Sequence, residues 1–489
     1  MLPETNGPCK YNGKSAYFED GFYYTDDKKE ILISYNPNFD FPYPSEIRLP
    51  STLKKIENGA LEYFSKPFTG LLIPSSVEYI GCRAFRCSSL GTLVFEEPSH
   101  LNTIKMSTFE KCKLTTALEI PESVKKIEEY AFKESIISDI NLGHIEEICK
   151  EAFASSAVEN VVLNDINSLA PYAFYKSSIK SLTVNSSNLI TIPEHFCGLC
   201  EELERVKIYN VNIIKEAAFK SCKNLESINL EDNPLSIIEE DAFTAATNLT
   251  SVRIPQTITF IGPCFGCCCN LKNVTFEENL TRSHNLVFGQ CVNSNFAPFS
   301  YTKIEKLVLP SYVEAFAPYT FSRMSFLKEI EINAPIEAIP NHFCAGDTAL
   351  KTVKLHPSTK TISSYAFANT ALKEIGENFW NVEIFELGCF SSCADLENVF
   401  TNKNTEIDRG IFIDCKNIKN IIALSSKLDP FAFKDIKDAT ILAPNAPDIF
   451  FKKLTSNIKP INRINDEKLL EKLSSFMPFK TLSRLSLER

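Results

Sequence analysis

A small residue followed by phenylalanine returns along this chain every 21–24 residues. The anchors are Phe85, Phe109, Phe132, Phe153, Phe174, Phe196, Phe219, Phe243, Phe265, Phe288, Phe321, Phe343, Phe367, Phe390, Phe412 and Phe433, with Leu61 as a degenerate first member. One step, Phe288 to Phe321, is longer, at 33 residues. Other columns keep the same period. An apolar residue precedes most anchors by about five positions, as at Ile80, Ile104, Ile127 and Ile148. Between anchors runs L-x-x-L-x-L with branched or aromatic substitutes, as in Leu203/Val206/Ile208 and Leu350/Val353/Leu355. Its last two apolar positions alternate at strand spacing. Pro50, Pro74, Pro121, Pro255 and Pro310 follow such stretches, and proline cannot continue a ladder. A single short strand cannot bury its apolar face. Stacked units can, so the period predicts a solenoid of about seventeen turns with a parallel β-sheet on the concave face.

Length alone, 489 residues, would suggest several globules; the period replaces them with one extended domain. Residues 46–442 read as the solenoid. Within 1–45, KSAYFEDGFYYTDDKKEILISYN reads as a hairpin turning at TDDKK, a cap for the open first turn. Residues 443–489 read as a short C-terminal cap with an amphipathic tail. The net charge of −10 argues against nucleic acid and against an anionic membrane surface. No apolar run approaches the roughly 20 residues of a spanning helix, so direct membrane insertion is not expected. The first residues lack the basic and apolar regions of a conventional signal peptide, which points towards the cytoplasm.

Units such as LKTVKLHPSTKTISSYAFAN (350–369) and IPSSVEYIGCRAFRCSSLGTLVF (73–95) resemble the BspA-like, treponemal-type leucine-rich repeats. The resemblance spans about residues 45–442. It implies a leucine-rich repeat solenoid, a non-enzymatic role and protein partners, often host or matrix proteins met at a cell surface. An intracellular interaction scaffold is the alternative reading, favoured by the missing signal and the many thiols.

Two segments look chemical: TIPEHFCGLC (191–200) and AIPNHFCAG (338–346). Aligned on Phe196 and Phe343, they place His195 and His342 in the small-residue column of Ala84, Ala131 and Ala218. The His rings should therefore tilt outward, or the turn loosen. The segments lie six turns apart, roughly 29 Å at strand spacing, too far to share a metal or a catalytic centre. Three residues past the anchor, cysteine (Cys112, Cys222, Cys268, Cys291, Cys393, Cys415) interchanges with Ser and Ala, as a small buried site would allow. Cys268/Cys291 and Cys393/Cys415 are neighbours in that column, so pairing within each couple stays open. No nucleophile elbow, phosphate loop, dinucleotide fingerprint or zincin motif occurs. No catalytic, cofactor or metal residues are assigned.

Surface is what remains. The outward strand column offers Lys207, Asn229, Arg253, Thr275, Glu331 and Lys354 as partner contacts, in mixed chemistry with no aromatic stripe. Phe288 lies 16 residues before Ile304, whereas Phe219 lies 6 before Leu225, so about ten residues are inserted, assigned to 292–302. Phe296, Phe299 and Tyr301 then belong either to an exposed recognition loop or to a segment folded back on the solenoid edge.

Overall fold

The structure is a computed structural model. It describes the chain except residues 1–4, 42–45, 66–69, 138, 189, 279–284, 290–296, 462–466 and 475–489. The chain divides into two compact units, Met1–Leu249 and Thr250–Arg489. Both are β-solenoids, and together they carry about 18 parallel turns.

Each coil is organised around its anchor. The residues two before and two after it adopt left-handed backbone, as at Arg83 and Cys87 (φ 58° and 55°), and at Tyr130 and Glu134 (φ 59° and 56°). Such a conformation costs a non-glycine residue roughly 1–2 kcal/mol. Two interactions offset it. The anchor N–H donates to the next coil, from Phe85 to the Thr108 carbonyl (2.9 Å) and from Phe109 to Ala131 (2.7 Å). The anchor rings, fully buried, stack on one another. From Phe85 through Phe109, Phe132 and Phe153 to Phe174 their centroids lie 5.2, 5.1, 4.9 and 5.0 Å apart.

Two strand rows flank this turn, where the sequence suggested one. The L-x-x-L-x-L stretch forms the longer row, in which Asn160–Leu163, Ser181–Val184 and Arg205–Ile208 pair in parallel register. The apolar residue before the anchor forms a second row of very short strands, such as Lys126–Ile127 beside Glu147–Ile148. Both rows and the anchor turn point their apolar residues inward, so each apolar column of the repeat becomes a buried file.

The register differs from the sequence reading in two places. Phe288 is not an anchor: it ends the short strand Leu286–Phe288, which pairs with Phe260–Ile261. The anchor of that coil is Phe299, fully buried and stacked on Phe265 at 5.7 Å. Phe299 to Ile304 then has the usual spacing. Of the insertion assigned to 292–302, residues 297–302 form this anchor turn, and 292–296 lie outside the described residues.

The second correction concerns the two HFC segments. Phe174 N–H donates to the Phe196 carbonyl and Cys197 N–H to Ala218. Phe196 therefore stands in the small-residue column and Cys197 in the anchor column. Phe343 and Cys344 are shifted in the same way: Phe321 N–H reaches the Phe343 carbonyl and Cys344 N–H reaches Ala366. A Phe–Cys pair replaces the usual Ala–Phe pair at similar total volume, the kind of exchange a core tolerates. The displaced rings stay buried and meet their neighbours edge-on, Phe196 on Phe174 at 87° and Phe343 on Phe321 at 89°.

The N-terminal cap is an antiparallel meander of Gly7–Tyr11, Lys14–Glu19, Phe22–Tyr24 and Ile31–Tyr35. Its last strand joins the short-strand row in parallel at Lys55–Ile56. Asn12-Gly13 and Asp20-Gly21 both have positive φ, which the two-residue hairpin turns demand. At the other end, Ala439–Leu442 and Ile458–Pro460 close the long-strand row. Helix α1 (Asp448–Lys453) lies between them and α2 (Glu467–Ser474) follows.

Candidate partner-binding faces

In the outward column of the long strands, Lys207 is exposed between the buried Val206 and Ile208. Asn229 is already occupied. Its amide accepts from the Ile208 N–H (2.8 Å) and donates to the Ile208 carbonyl (3.0 Å), extending the ladder where strand Ser227–Ile228 stops. It is a main-chain plug. Arg253 pairs with Glu277 at 2.9 Å. Lys354 bridges Glu329 (2.9 Å) and Glu331 (3.1 Å), and Lys306 also holds Glu329 (3.1 Å). Exposed pairs of this kind contribute only about 0.2–1 kcal/mol each. Thr275 is exposed and lines a shallow cavity of about 470 Å³ with Asn273, Phe276, Lys306 and Val308. Phe299 is removed from the surface by its burial as an anchor. Tyr301 is 45% exposed, with the Arg323 guanidinium donating to its hydroxyl at 3.5 Å. Phe296 lies outside the described residues.

A face that the sequence reading did not single out lies beside the short strands. Burial alternates there, so the residues six, four and two before the anchor are the more accessible ones, although Ser107 is itself buried. In the first unit, the coils of Phe109, Phe132 and Phe153 place Thr103, Lys105, Ser107, Lys126, Glu128, Tyr130, Glu147, Cys149 and Glu151 in these columns. Ion pairs lace them from coil to coil: Lys105–Glu128 at 3.0 Å, Lys126–Glu147 at 2.8 Å, and Glu151 to Lys133 at 2.6 Å.

In the second unit, the coils of Phe321, Cys344 and Phe367 fill the same columns with Ala315, Ala317, Tyr319, Ala338, Pro340, His342, Thr361, Ser363 and Tyr365. Burial lowers the pKa of His342, which favours its neutral form. Tyr319, His342 and Tyr365 stack face to face, with centroids 4.4 and 5.1 Å apart. Tyr319 is 52% exposed. The Tyr365 ring lies over Gly388, where a Cβ would come within 2.5 Å of it and where φ is +63°. His195 in the first unit stacks likewise on Tyr172, at 4.7 Å. The two histidines thus occupy the left-handed position two before the anchor, with φ 52° and 55°. Their rings lie flat on a neighbouring tyrosine; neither an outward tilt nor a loosened turn is needed. The signal was readable: Ala, Pro, Thr and Ser replace Lys and Glu in columns flanking the short strand.

The column three past the anchor has a defined chemistry. Its side chains donate to the carbonyl of the preceding anchor position: Cys200 to Phe174 (3.0 Å), Cys222 to Cys197 (3.1 Å), Cys393 to Phe367 (3.2 Å) and Cys415 to Phe390 (2.9 Å). Ser88 and Thr370 bond to the thiols of Cys112 and Cys393 in the next coil. Burial pushes the Cys112 thiol up to about 11, so it stays protonated. Cys393 and Cys415 are free thiols in this arrangement; Cys291 lies outside the described residues. One member breaks the pattern. Asp347 is fully buried, and its Oδ1 accepts the Met324 N–H at 2.7 Å. Burial drives its carboxyl well above the usual range. Among the described residues, no group of three or more His, Cys, Asp or Glu could hold a metal ion.

The family model for the BspA type leucine rich repeat region (6 copies) matches at residues 39–136, 95–203, 167–295, 294–373 and 345–441. The chain belongs to this family. Like other BspA-type chains it is a repeat scaffold, and among the described residues it has no helix long and apolar enough to cross a membrane. Comparison with curated proteins returns no match. Three solved structures are similar to this BspA-type chain. A leucine-rich repeat protein from Bacteroides ovatus is 18% identical, with 90% of this chain and 99% of that one covered and a TM-score of 0.47. The pneumococcal vaccine antigen PcpA is 16% identical, over 94% and 99%, with a TM-score of 0.36. A leucine rich cell surface protein from Faecalibacterium prausnitzii is 14% identical, over 97% and 98%, with a TM-score of 0.29.

Proposed function

We propose that this BspA-type chain is a non-catalytic, protein-binding scaffold presented at a cell surface, where it serves adhesion or host interaction. The observation that carries the binding role is the uncharged face of the second unit, at Ala315, Ala338, His342 and Tyr365. Three successive coils without a charged side chain in three accessible columns suit a protein partner, because apolar area can leave water there without desolvating a charge. Tyrosine is a favoured interface residue, bringing large area at low entropic cost. In this reading Lys207, Arg253, Thr275, Glu331, Lys354 and Tyr301 are secondary contacts, each within its own unit. Ala338→Glu places a charge on the face at an exposed position and should abolish capture of partners from a host-surface extract, with the thermal midpoint unchanged. Retained capture would remove the face from consideration.

The reduced thiol column favours a second reading, an intracellular scaffold. Buried S–H groups that donate to carbonyls suit a reducing compartment. Protease shaving of intact cells separates the two: loss of the protein supports the surface reading, while full protection supports the intracellular one.

A further inference from the structure

The outward column of the long strands changes character near the end of the second unit. Through Arg253, Thr275, Glu331 and Lys354 it is mostly polar, with the exposed Val308 between Thr275 and Glu331. After Gly376 it becomes Phe400, Ile422 and Leu442, in register on adjacent strands. The neighbouring positions Val399, Ile421 and Ile441 already fill the interior, so these three face the other way. Leu424 joins them two residues beyond Ile422. All four are nonetheless buried, at 0%, 2%, 2% and 6% exposure for Phe400, Ile422, Leu442 and Leu424. Trp380, Ile461 and Leu470 pack against them. Leu470 belongs to α2, whose sequence EKLLEKLS puts leucines among charges. A helix of this length does not hold in water on its own; the apolar stripe beneath supplies its support.

We propose that this stripe is a docking site for a leucine-bearing amphipathic helix, and that α2 is its resident, displaceable occupant. The mode is helix-on-apolar-face recognition, in which a few leucines supply the anchors and the charged side stays in water. The seat of α2 shows which partner fits: a helix of the same pattern from another protein, competing for the same four side chains. This assignment rests on the stripe alone, independently of the short-strand face.

The chain contains one tryptophan, Trp380, at the edge of the stripe, so its fluorescence reports occupancy. In the full chain, Leu470→Glu should shift Trp380 emission to the red as α2 leaves. A synthetic peptide with the sequence of residues 461–489 should then restore the blue emission, binding the variant at least ten-fold more tightly than it binds the unaltered chain. Adding Leu424→Glu should abolish this binding. Should that double variant unfold by circular dichroism, a photo-crosslinker on the peptide replaces it, with crosslinks expected between residues 400 and 442. Unchanged emission in Leu470→Glu would overturn the proposal. So would equal peptide binding by both chains, or crosslinks mapping elsewhere. A dimer that Leu424→Glu dissolves would also overturn it, because the stripe would then receive a second copy of this chain.

Discussion

The short-strand face of the first unit is laced by ion pairs at Lys105, Lys126 and Glu147, whereas the same columns of the second unit carry alanine, proline and a Tyr–His–Tyr stack. The interior does not distinguish them: both units bury stacked anchor phenylalanines and both use the same left-handed turns. A solenoid therefore separates two requirements that a globule mixes. The inward columns specify the fold, and the outward columns are free to take on chemistry coil by coil.

Four tests sharpen or break this comparison. The largest effect is expected inside. Phe153→Ala in the first unit and Phe367→Ala in the second should each cost about 3–5 kcal/mol by denaturant titration. Costs differing by more than half would refute a shared interior. Next is Asp347, the fully buried acid in the column three past the anchor. Its raised folded pKa means that the folded state holds the proton more tightly. The associated stability is present below about pH 3.9, the unfolded value, and is lost as pH rises toward the folded one. Asp347→Asn should flatten that loss, read from unfolding midpoints across pH, while Ser177→Ala in the first unit leaves the pH profile unchanged. Third, Thr103→Glu, on the charged face, should alter neither capture nor midpoint, whereas Ala338→Glu removes capture more than ten-fold. The smallest effect belongs to the ion ladder. Glu147→Gln should cost under about 1 kcal/mol, and the difference should fade in 1 M salt, where screening acts within about 3 Å.

The period and the inward columns were legible because apolar residues at fixed spacing have few alternatives. The register around Cys197 and Cys344 was not. A phenylalanine is apolar in either slot, so a slip of one residue leaves the hydrophobic pattern almost unchanged; the left-handed positions and the carbonyl ladder decide it. Phe288 misled for a related reason. Neither it nor Phe299 follows a small residue, Val287 and Pro298 standing before them. The distance to Ile304 was the usable clue. The second strand row escaped notice because two residues are too few to show alternation. The face on the second unit gives a weaker signal in sequence than the longer strands, where Lys354 and Glu331 neutralise each other and Asn229 is spent on main chain.

The anchor turns have an electrostatic consequence. Within each unit alternate N–H groups of the turn point to the following coil, as from Arg83, Phe85 and Cys87 to Met106, Thr108 and Glu110. Three peptide dipoles per coil are thus aligned along the stack, the same summation that polarises an α-helix but with the positive end towards the C-terminus. The last such turn of the second unit meets an acid there: the Phe431 N–H donates to the Asp429 carboxylate at 2.7 Å. The solenoid closes its electropositive end with a negative charge, as a helix does at its N-terminus.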